Sequence, residues 1–394
     1  MSALPVVHEM LAGRAHILPV PADDVRESTL LTTSLRAGSE IEDDVAVVVP
    51  TSGTTGTPKG AMLTATALIA SAEATHHRLG GPGRWLLALP PHHVAGLQVL
   101  VRSVVAGTTP VALSPSFTAD ELVSAVAALE PGRRYASLVA VQLDRALRDP
   151  SSARVLAEFD AVLIGGGPMP APLAERAAAA GVSVVRTYGM SETAGGCVYD
   201  GAPLDGVRIR IADGAAQPAT SNGGRIMLGG TTLAKGYRNP VDPDPFEEPG
   251  WFRTDDVGAV DASGRLTVLG RADDAVSSGG LTVIPHIVEA VLVAHPAVGE
   301  CAVSARRSIL PIPRLGRSST TCISRGAAVA SRVAATCSRS SASVGAANPV
   351  ASTIATATRC PSRSSGTPNT AHSPTAGCAT STASTMCGIT VKPP

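Results

Sequence analysis

Thr51-Ser52-Gly53-Thr54-Thr55-Gly56-Thr57-Pro58-Lys59-Gly60 is a run of ten residues made of hydroxyl side chains, glycines, one proline and one lysine. Glycines let a backbone approach a ligand closely, hydroxyls donate to anionic oxygens, and Lys59 adds positive charge, so the stretch is suited to wrapping a polyphosphate. It follows an apolar run, Val45-Ala46-Val47-Val48-Val49, read as a buried strand, and precedes a helical pattern over about 64–79. At such a place backbone N–H groups converge on an anion. The ligand this predicts is ATP. A plain Gly/Thr-rich surface turn accounts for a few such positions but not for the whole run after a strand. An ordinary P-loop is disfavoured as well, because Pro58 stands where that motif has its second glycine and Gly60 where it has Ser or Thr.

Strand and helix patterns alternate from about 46 to 189, and one unit is plain in outline. Ala161-Val162-Leu163-Ile164 is followed by Gly165-Gly166-Gly167-Pro168, a helix over about 171–180, Gly181 as its stop, and a further strand over 182–186. Tyr188-Gly189-Met190-Ser191-Glu192-Thr193 follows, placing its polar groups at the carboxyl end of a parallel sheet, where open α/β folds bind ligands. From about 207 to 269 the pattern changes to short β runs separated by Gly and Asp, which predicts a β-rich subdomain. Trp251-Phe252-Arg253-Thr254-Asp255-Asp256 lies within it. Taken alone, the Ser191-Glu192 pair could cap a helix, Gly165–Gly167 could be a tight turn, and Asp255-Asp256 a solvated acidic turn.

Together with the phosphate loop, these segments resemble the adenylate-forming superfamily, the acyl-CoA ligases and their relatives. The resemblance covers about residues 40–304. It implies an α/β fold: a large N-terminal domain with parallel sheets and a β-rich subdomain, plus a small C-terminal α+β domain, incomplete in this chain. It also implies the cofactors ATP and Mg²⁺, with coenzyme A as co-substrate. On the resemblance, Thr51, Ser52, Gly53, Thr54, Thr55, Gly56, Thr57 and Lys59 hold the phosphates, and Lys59, Ser191 and Glu192 serve catalysis. Tyr188 and Gly189 lie against adenine with Gly165, Gly166 and Gly167; Ser191 meets the α-phosphate, and Glu192 is the Mg²⁺ ligand. Asp256 takes the ribose hydroxyls, with Asp255 where the family has Gly, and Arg271 lies near the ribose. Asp273 is the pivot between domains, with Ser277-Ser278-Gly279-Gly280, Pro285 and Glu289 opening the small domain.

Pro90-Pro91-His92-His93-Val94-Ala95-Gly96, continuing to Arg102, resembles the family's H-x-x-G element, which makes His93 and Gly96 acyl-side residues. Arg102 lies in an otherwise apolar run. A buried guanidinium there calls for an anion, hence a second substrate carboxylate, whereas a helix-face arginine would snorkel to water. The short segment before the loop, the H-x-x-G element and the run 186–200 are most similar to the o-succinylbenzoate:CoA ligases of menaquinone biosynthesis, a branch of the family whose substrate is an aromatic dicarboxylate. The alternatives are another aryl- or acyl-CoA ligase, and a catalytically silent nucleotide-binding relative.

With 394 residues and 44% hydrophobic content, the chain can bury a large core. A formal net charge of +0 and 3% aromatic residues argue against a nucleic-acid partner. Apolar stretches such as 86–106 are broken by Pro, His and Arg, and no leader pattern opens the chain, so a cytoplasmic protein with no membrane partner is expected. A homo-oligomer is compatible with the sequence. The 7 Cys form no C-x-x-C pair, so neither zinc nor a disulfide framework is expected. The expected domains are 1–272, the large ATP- and acyl-substrate-binding domain, 273–304, the hinge and start of the small domain, and 305–394, a low-complexity tail. Glu300 is the last acidic residue, and Ser, Thr, Ala, Arg, Pro and Cys dominate beyond Ser304. A natural disordered tail is the plain explanation. Loss of Asp and Glu where a second domain has only begun fits out-of-frame translation better. The family carries a lysine in a Gly-Lys motif near its C-terminus; Lys392, in Val391-Lys392-Pro393-Pro394, lacks that context, so impaired activity is expected.

Overall fold

The computed structural model describes residues 3–51, 57–212 and 223–274, and beyond these shorter stretches that include 276–278, 281–283, 300–307, 322–326, 329–336 and 385–392. Ser52, Gly53, Thr54, Thr55 and Gly56 of the expected phosphate loop lie outside the described residues, as do Gly279 and Gly280. The chain divides into two compact units, 1–268 and 269–394.

In the first unit, helices α1 (Leu4–Leu11) and α2 (Val25–Ser34) precede strand β1 (Val45–Val49), which pairs antiparallel with β2 (Ala61–Thr64). Every residue of β1 is buried. Val47 and Val49 pack with α1 and α3 residues such as Met10 and Leu68, while Val45 and Val48 pack with Leu31 and Leu35. A strand covered on both faces reads as a continuous apolar run, which is why β1 stands out in the sequence. The helix expected over about 64–79 is present, with β2 between it and the loop. Four residues alternating between buried and half-buried positions intervene before α3 (Ala65–Arg78), which is capped by the Thr64 side chain.

The central sheet grows from β3 (Arg84–Leu87), α4 (Val94–Val105), β4 (Val111–Ala112), α5 (Ala119–Ala127), β5 (Arg134–Val139), α6 (Ala140–Leu147), α7 (Pro150–Leu156), β6 (Ala161–Gly165), α8 (Ala171–Ala179) and β7 (Val184–Met190). A 3-10 turn, Ser191–Thr193, leads to β8 (Gly195–Tyr199) and β9 (Ala202–Pro203). The strand order is β4-β3-β5-β6-β7-β8-β9, parallel from β4 to β7 and antiparallel from β7 to β9. Alternation divides its side chains. Val162 and Ile164 of β6 enter a core with α5–α8 residues such as Leu122, Leu143 and Leu173, whereas Ala161 and Leu163 face a core containing Trp85, Val99, Tyr135 and Tyr199. Trp85, Tyr135 and Tyr199 are fully buried, and each contributes on the order of 2 kcal/mol of apolar transfer.

The expected β-rich subdomain is a sheet of β10 (Val207–Ala212), β11 (Gly224–Gly230), β12 (Trp251–Val260) and β13 (Leu266–Arg271), in that order. Trp251–Asp256 is therefore strand, not an acidic turn.

The second unit contains the hairpin β14 (Val276–Ser278) and β15 (Leu281–Val283), and a sheet of β16 (Glu300–Arg307), β17 (Cys322–Gly326), β18 (Val329–Thr336) and β19 (Thr385–Lys392), ordered β16-β19-β18-β17. Parts of the tail that showed no strand periodicity in the sequence are thus extended, in segments holding β-branched residues such as Val329, Val333, Ile389 and Val391.

Candidate nucleotide and acyl site

Two ends of the phosphate loop are fixed. Thr51 lies two residues beyond β1, and its hydroxyl oxygen is buried with no hydrogen-bond partner among the described residues. An orphaned buried hydroxyl needs an acceptor or donor, and a phosphate oxygen would fit. At the other end, Pro58 O accepts from Asn239 Nδ2 at 2.8 Å, Lys59 O from Asn239 N at 3.0 Å and Gly60 O from Arg238 N at 2.8 Å. The 235–239 strap also bonds Met62 in both directions, so it extends the edge of β2.

That strap brings Tyr237 into the site. Lys59 Nζ lies over its ring, 5.3 Å from the centroid, and Tyr237 Oη donates to Glu192 Oε1 at 2.6 Å. Glu192 is 7% exposed. Burial pushes its pKa up, with the Asp255 carboxylate acting in the same direction, while the Tyr237 hydrogen bond and the Lys59 charge pull it down. Lys59, Glu192, Tyr237 and Asp255 therefore share one electrostatic neighbourhood. The sequence reading missed Tyr237, whose only signal was its place in Lys235-Gly236-Tyr237 between two β runs. Among the described residues no three His, Cys, Asp or Glu side chains form a metal cage. A Mg²⁺ held by one or two carboxylates and substrate phosphates needs none.

The residues expected beside adenosine gather on and around β7, where the sheet turns from parallel to antiparallel pairing. Tyr188 Oη donates to Asp256 Oδ2 at 2.7 Å, joining β7 to β12 across 68 residues of sequence, and Thr254 Oγ1 accepts from Asp256 N at 3.1 Å. Burial and the Asp256 charge push the Tyr188 pKa up, so it stays a donor. At Gly189 a Cβ would stand 2.1 Å from Gly195 O, so β8 can approach only a glycine. Ser191 opens the 3-10 turn and is half-buried; Glu192 and Thr193 behind it are buried. Gly165–Gly167 end β6 beside β7, where Gly165 lies against Thr187. Arg271, in the second unit, bonds Asp273 at 3.1 Å.

Of the residues expected on the acyl side, His93 occupies the N-cap position of α4 and is exposed, with its ring 4.3 Å from that of His92. Burial, then the His92 charge, lowers its pKa. Gly96 is buried, and a Cβ there would stand 2.2 Å from Pro90 O, so the glycine lets α4 rest on the Leu89–Pro90 backbone. Arg102, expected on the substrate side, is buried, and its Nε has no hydrogen-bond partner among the described residues. It is 3% exposed, lies 4.9 Å over the Trp85 ring and donates to Tyr199 Oη at 3.2 Å. It does not snorkel, and it pairs with no carboxylate among the described residues.

A tyrosine-held carboxylate, Asp256, and a buried glutamate, Glu192, with Lys59 in the same electrostatic neighbourhood thus lie near the carboxyl end of β7, the edge of a parallel sheet where open α/β folds bind ligands. Residues 9–238 match the AMP-binding enzyme family, and the chain belongs to it. It is 62% identical over 304 residues, 76% of each chain, to a protein named probable 2-succinylbenzoate--CoA ligase from Mycobacterium tuberculosis strain H37Rv. It is 36% identical over 309 residues, 75% of this chain and 62% of the relative, to the 2-succinylbenzoate--CoA ligase of Geobacillus kaustophilus. The fold is similar to o-succinylbenzoate CoA synthetase from Bacillus subtilis in complex with ATP and magnesium ion, with a TM-score of 0.62 at 28% identity over 85% of this chain and 71% of that one. It is also similar to the same synthetase in complex with the acyl-adenylate intermediate, with a TM-score of 0.62 at 27% identity over 86% and 72%.

Proposed function

We propose that this chain is an AMP-forming acid–thiol ligase that activates o-succinylbenzoate with ATP and passes the acyl group to coenzyme A, a step of menaquinone biosynthesis in the cytoplasm. The substrate carboxylate attacks the α-phosphorus, pyrophosphate leaves and acyl-AMP forms; the thiol then displaces AMP to give the thioester. No protein nucleophile is needed, so the site's work is positioning and charge stabilisation. The observation that carries this reading is the pairing of the Tyr188–Asp256 clamp with the Lys59–Glu192–Tyr237 cluster, in a chain 62% identical to a named ligase.

Each residue then has a task. Asp256 accepts from the ribose hydroxyls while Tyr188 holds its carboxylate; the Thr51 hydroxyl, Ser191 and the loop residues Ser52–Thr57 meet phosphate oxygens. Lys59 faces the developing negative charge. Glu192, oriented by Tyr237 with Asp255 nearby, would hold Mg²⁺, which neutralises phosphate charge when bound. His93 and Gly96 shape the acyl side, and Arg271 with Asp273 belongs to the turn of chain into the small domain.

ATP–pyrophosphate exchange over a panel of acids tests the reading. The expected result is exchange with o-succinylbenzoate well above that with benzoate or short acyl acids. Preference for another acid would make the protein a different acyl-CoA ligase. Binding of Mg·ATP without exchange for any acid would make it a silent nucleotide-binding relative.

A further inference from the structure

The turn that carries Ser191 and Glu192 is gripped from behind by the helix that begins on the acyl side. Gln98 of α4 is fully buried, and its Nε2 donates to Ala194 O at 2.7 Å. Ser71 of α3, also fully buried, donates its hydroxyl to the same carbonyl at 3.1 Å. Ala194 closes the 3-10 turn in the left-handed region, at φ 52° and ψ 37°, where a residue with a side chain is uncommon. The surrounding structure must hold such a conformation in place. Other bonds hold other parts of the turn: Ala234 N donates to Glu192 O at 2.9 Å, Tyr237 Oη to Glu192 Oε1 at 2.6 Å, and Met190 N to Thr193 Oγ1 at 3.0 Å. Among the described residues, only the two helix side chains reach the carbonyl of the left-handed residue itself.

Gln98 is not a residue that packing alone would select. Its Oε1 is buried with no partner among the described residues, so the amide is only half satisfied, and an apolar side chain of the same length would avoid that cost. It also fits closely: its Cγ lies 3.2 Å from where a Cβ on Gly195 would stand, so Gln98 packs on the backbone that it holds. His93, on the expected acyl side, stands at the N-cap position of the same helix five residues earlier, without a side-chain cap bond.

We propose that Gln98, assisted by Ser71, is a positioning residue. By clamping the Ala194 carbonyl it fixes the Ser191–Glu192 turn, so that α4 sets how well the site grips a metal-bound triphosphate. The proposal rests on the roles given above to Ser191 and Glu192.

The test uses the full chain and two variants, Gln98→Met and Ser71→Ala, titrated calorimetrically with Mg·ATP and, separately, with adenosine. Gln98→Met is expected to lose about tenfold in Mg·ATP affinity and Ser71→Ala about threefold, with adenosine held within roughly twofold, because a misplaced turn affects only the phosphate and metal side. A merely structural role would weaken both ligands together. Amides of residues 190–195 should also exchange faster in the absence of ligand, while those of β6 stay protected. If Gln98→Met does not fold, Ser71→Ala decides, since alanine suits a helix interior. Unchanged Mg·ATP affinity in the folded variants, or equal losses for both ligands, overturns the clamp. Failure of the unaltered chain to bind Mg·ATP overturns the proposed function, and the clamp with it.

Discussion

Asp256 has one carboxylate oxygen engaged by the Tyr188 hydroxyl at 2.7 Å, and a ribose would meet a carboxylate already held in place. Asp256→Asn keeps the shape and removes the charge. It should weaken Mg·ATP binding by about tenfold, the scale of a hydrogen bond to a charged group, and abolish the preference for ATP over dideoxy-ATP. Calorimetry with the two nucleotides checks this, and an undiminished preference would remove Asp256 from the ribose. Tyr237→Phe makes a complementary change at the other pole. It deprives Glu192 of its donor, so magnesium dependence of nucleotide binding should shift to higher metal concentration while metal-free binding holds. A third residue bears on stability. His76 is 7% exposed, and burial, then the Arg102 charge, lowers its pKa from 6.5 to about 4. It is therefore neutral in the fold, whereas the unfolded chain takes up its proton near pH 6.5. Between these values the unfolded state binds more protons. The His76 contribution is complete above about pH 6.5 and is lost as pH falls toward 4. The Tm should thus drop between pH 7 and pH 5, and His76→Gln should flatten that part of the profile; an identical pH slope in the variant would contradict the assignment.

Helix α4 shows how one element carries several demands in a few turns. Its start needs Gly96 to approach the Pro90 carbonyl, its middle sends Gln98 to Ala194, and its end buries Arg102 between Trp85 and Tyr199. Arg102→Met should lower the Tm by several degrees and depress activity toward all acids alike. A KM rise confined to dicarboxylates, at unchanged Tm, would instead place Arg102 at the substrate. The helix also marks where the sequence was readable. Its apolar run, the all-valine and alanine β1, the βαβ unit around Gly165–Gly167 and the glycine-punctuated β10 and β11 announce themselves because one local period, or one burial pattern, runs their length. Strand β2 did not, since its four residues blend into the helix that follows. Lys59, Ser191, Glu192 and Asp256 were visible through resemblance to a family. Their partners were not: Tyr237, Gln98 and Ser71 act through contacts spanning 45, 96 and 123 residues, and no local pattern encodes a hydrogen bond across such separations.

At the scale of the molecule, the residues of the proposed nucleotide site, Lys59, Tyr188, Glu192 and Asp256, all lie in the large unit. The chain after Ser304 has no acidic residue and a single lysine, Lys392, which stands in register with Glu300 on the β16–β19 pair. Neither feature resembles the Gly-Lys motif that bridges carboxylate and α-phosphate in the family. We propose that 273–304 opens a small domain whose continuation is encoded in another reading frame. This gives two separable expectations. Translating the underlying message in its other frames beyond Ser304 should yield a domain-like sequence with acidic residues and a Gly-Lys motif; finding none removes the idea. A protein made with that frame restored should release pyrophosphate from ATP and o-succinylbenzoate about a hundredfold faster than the present chain, because a cation aimed at developing charge contributes on that scale. The Mg·ATP affinity of the two proteins should differ far less, since Tyr188, Asp256, Glu192 and Lys59 all lie in the large unit. Supplying synthetic acyl-AMP with coenzyme A bypasses the first half-reaction and reads thioester formation separately. Equal pyrophosphate release by the two proteins would mean that the cation supplied by the small domain is dispensable, and that residues of the large unit stabilise the departing pyrophosphate on their own.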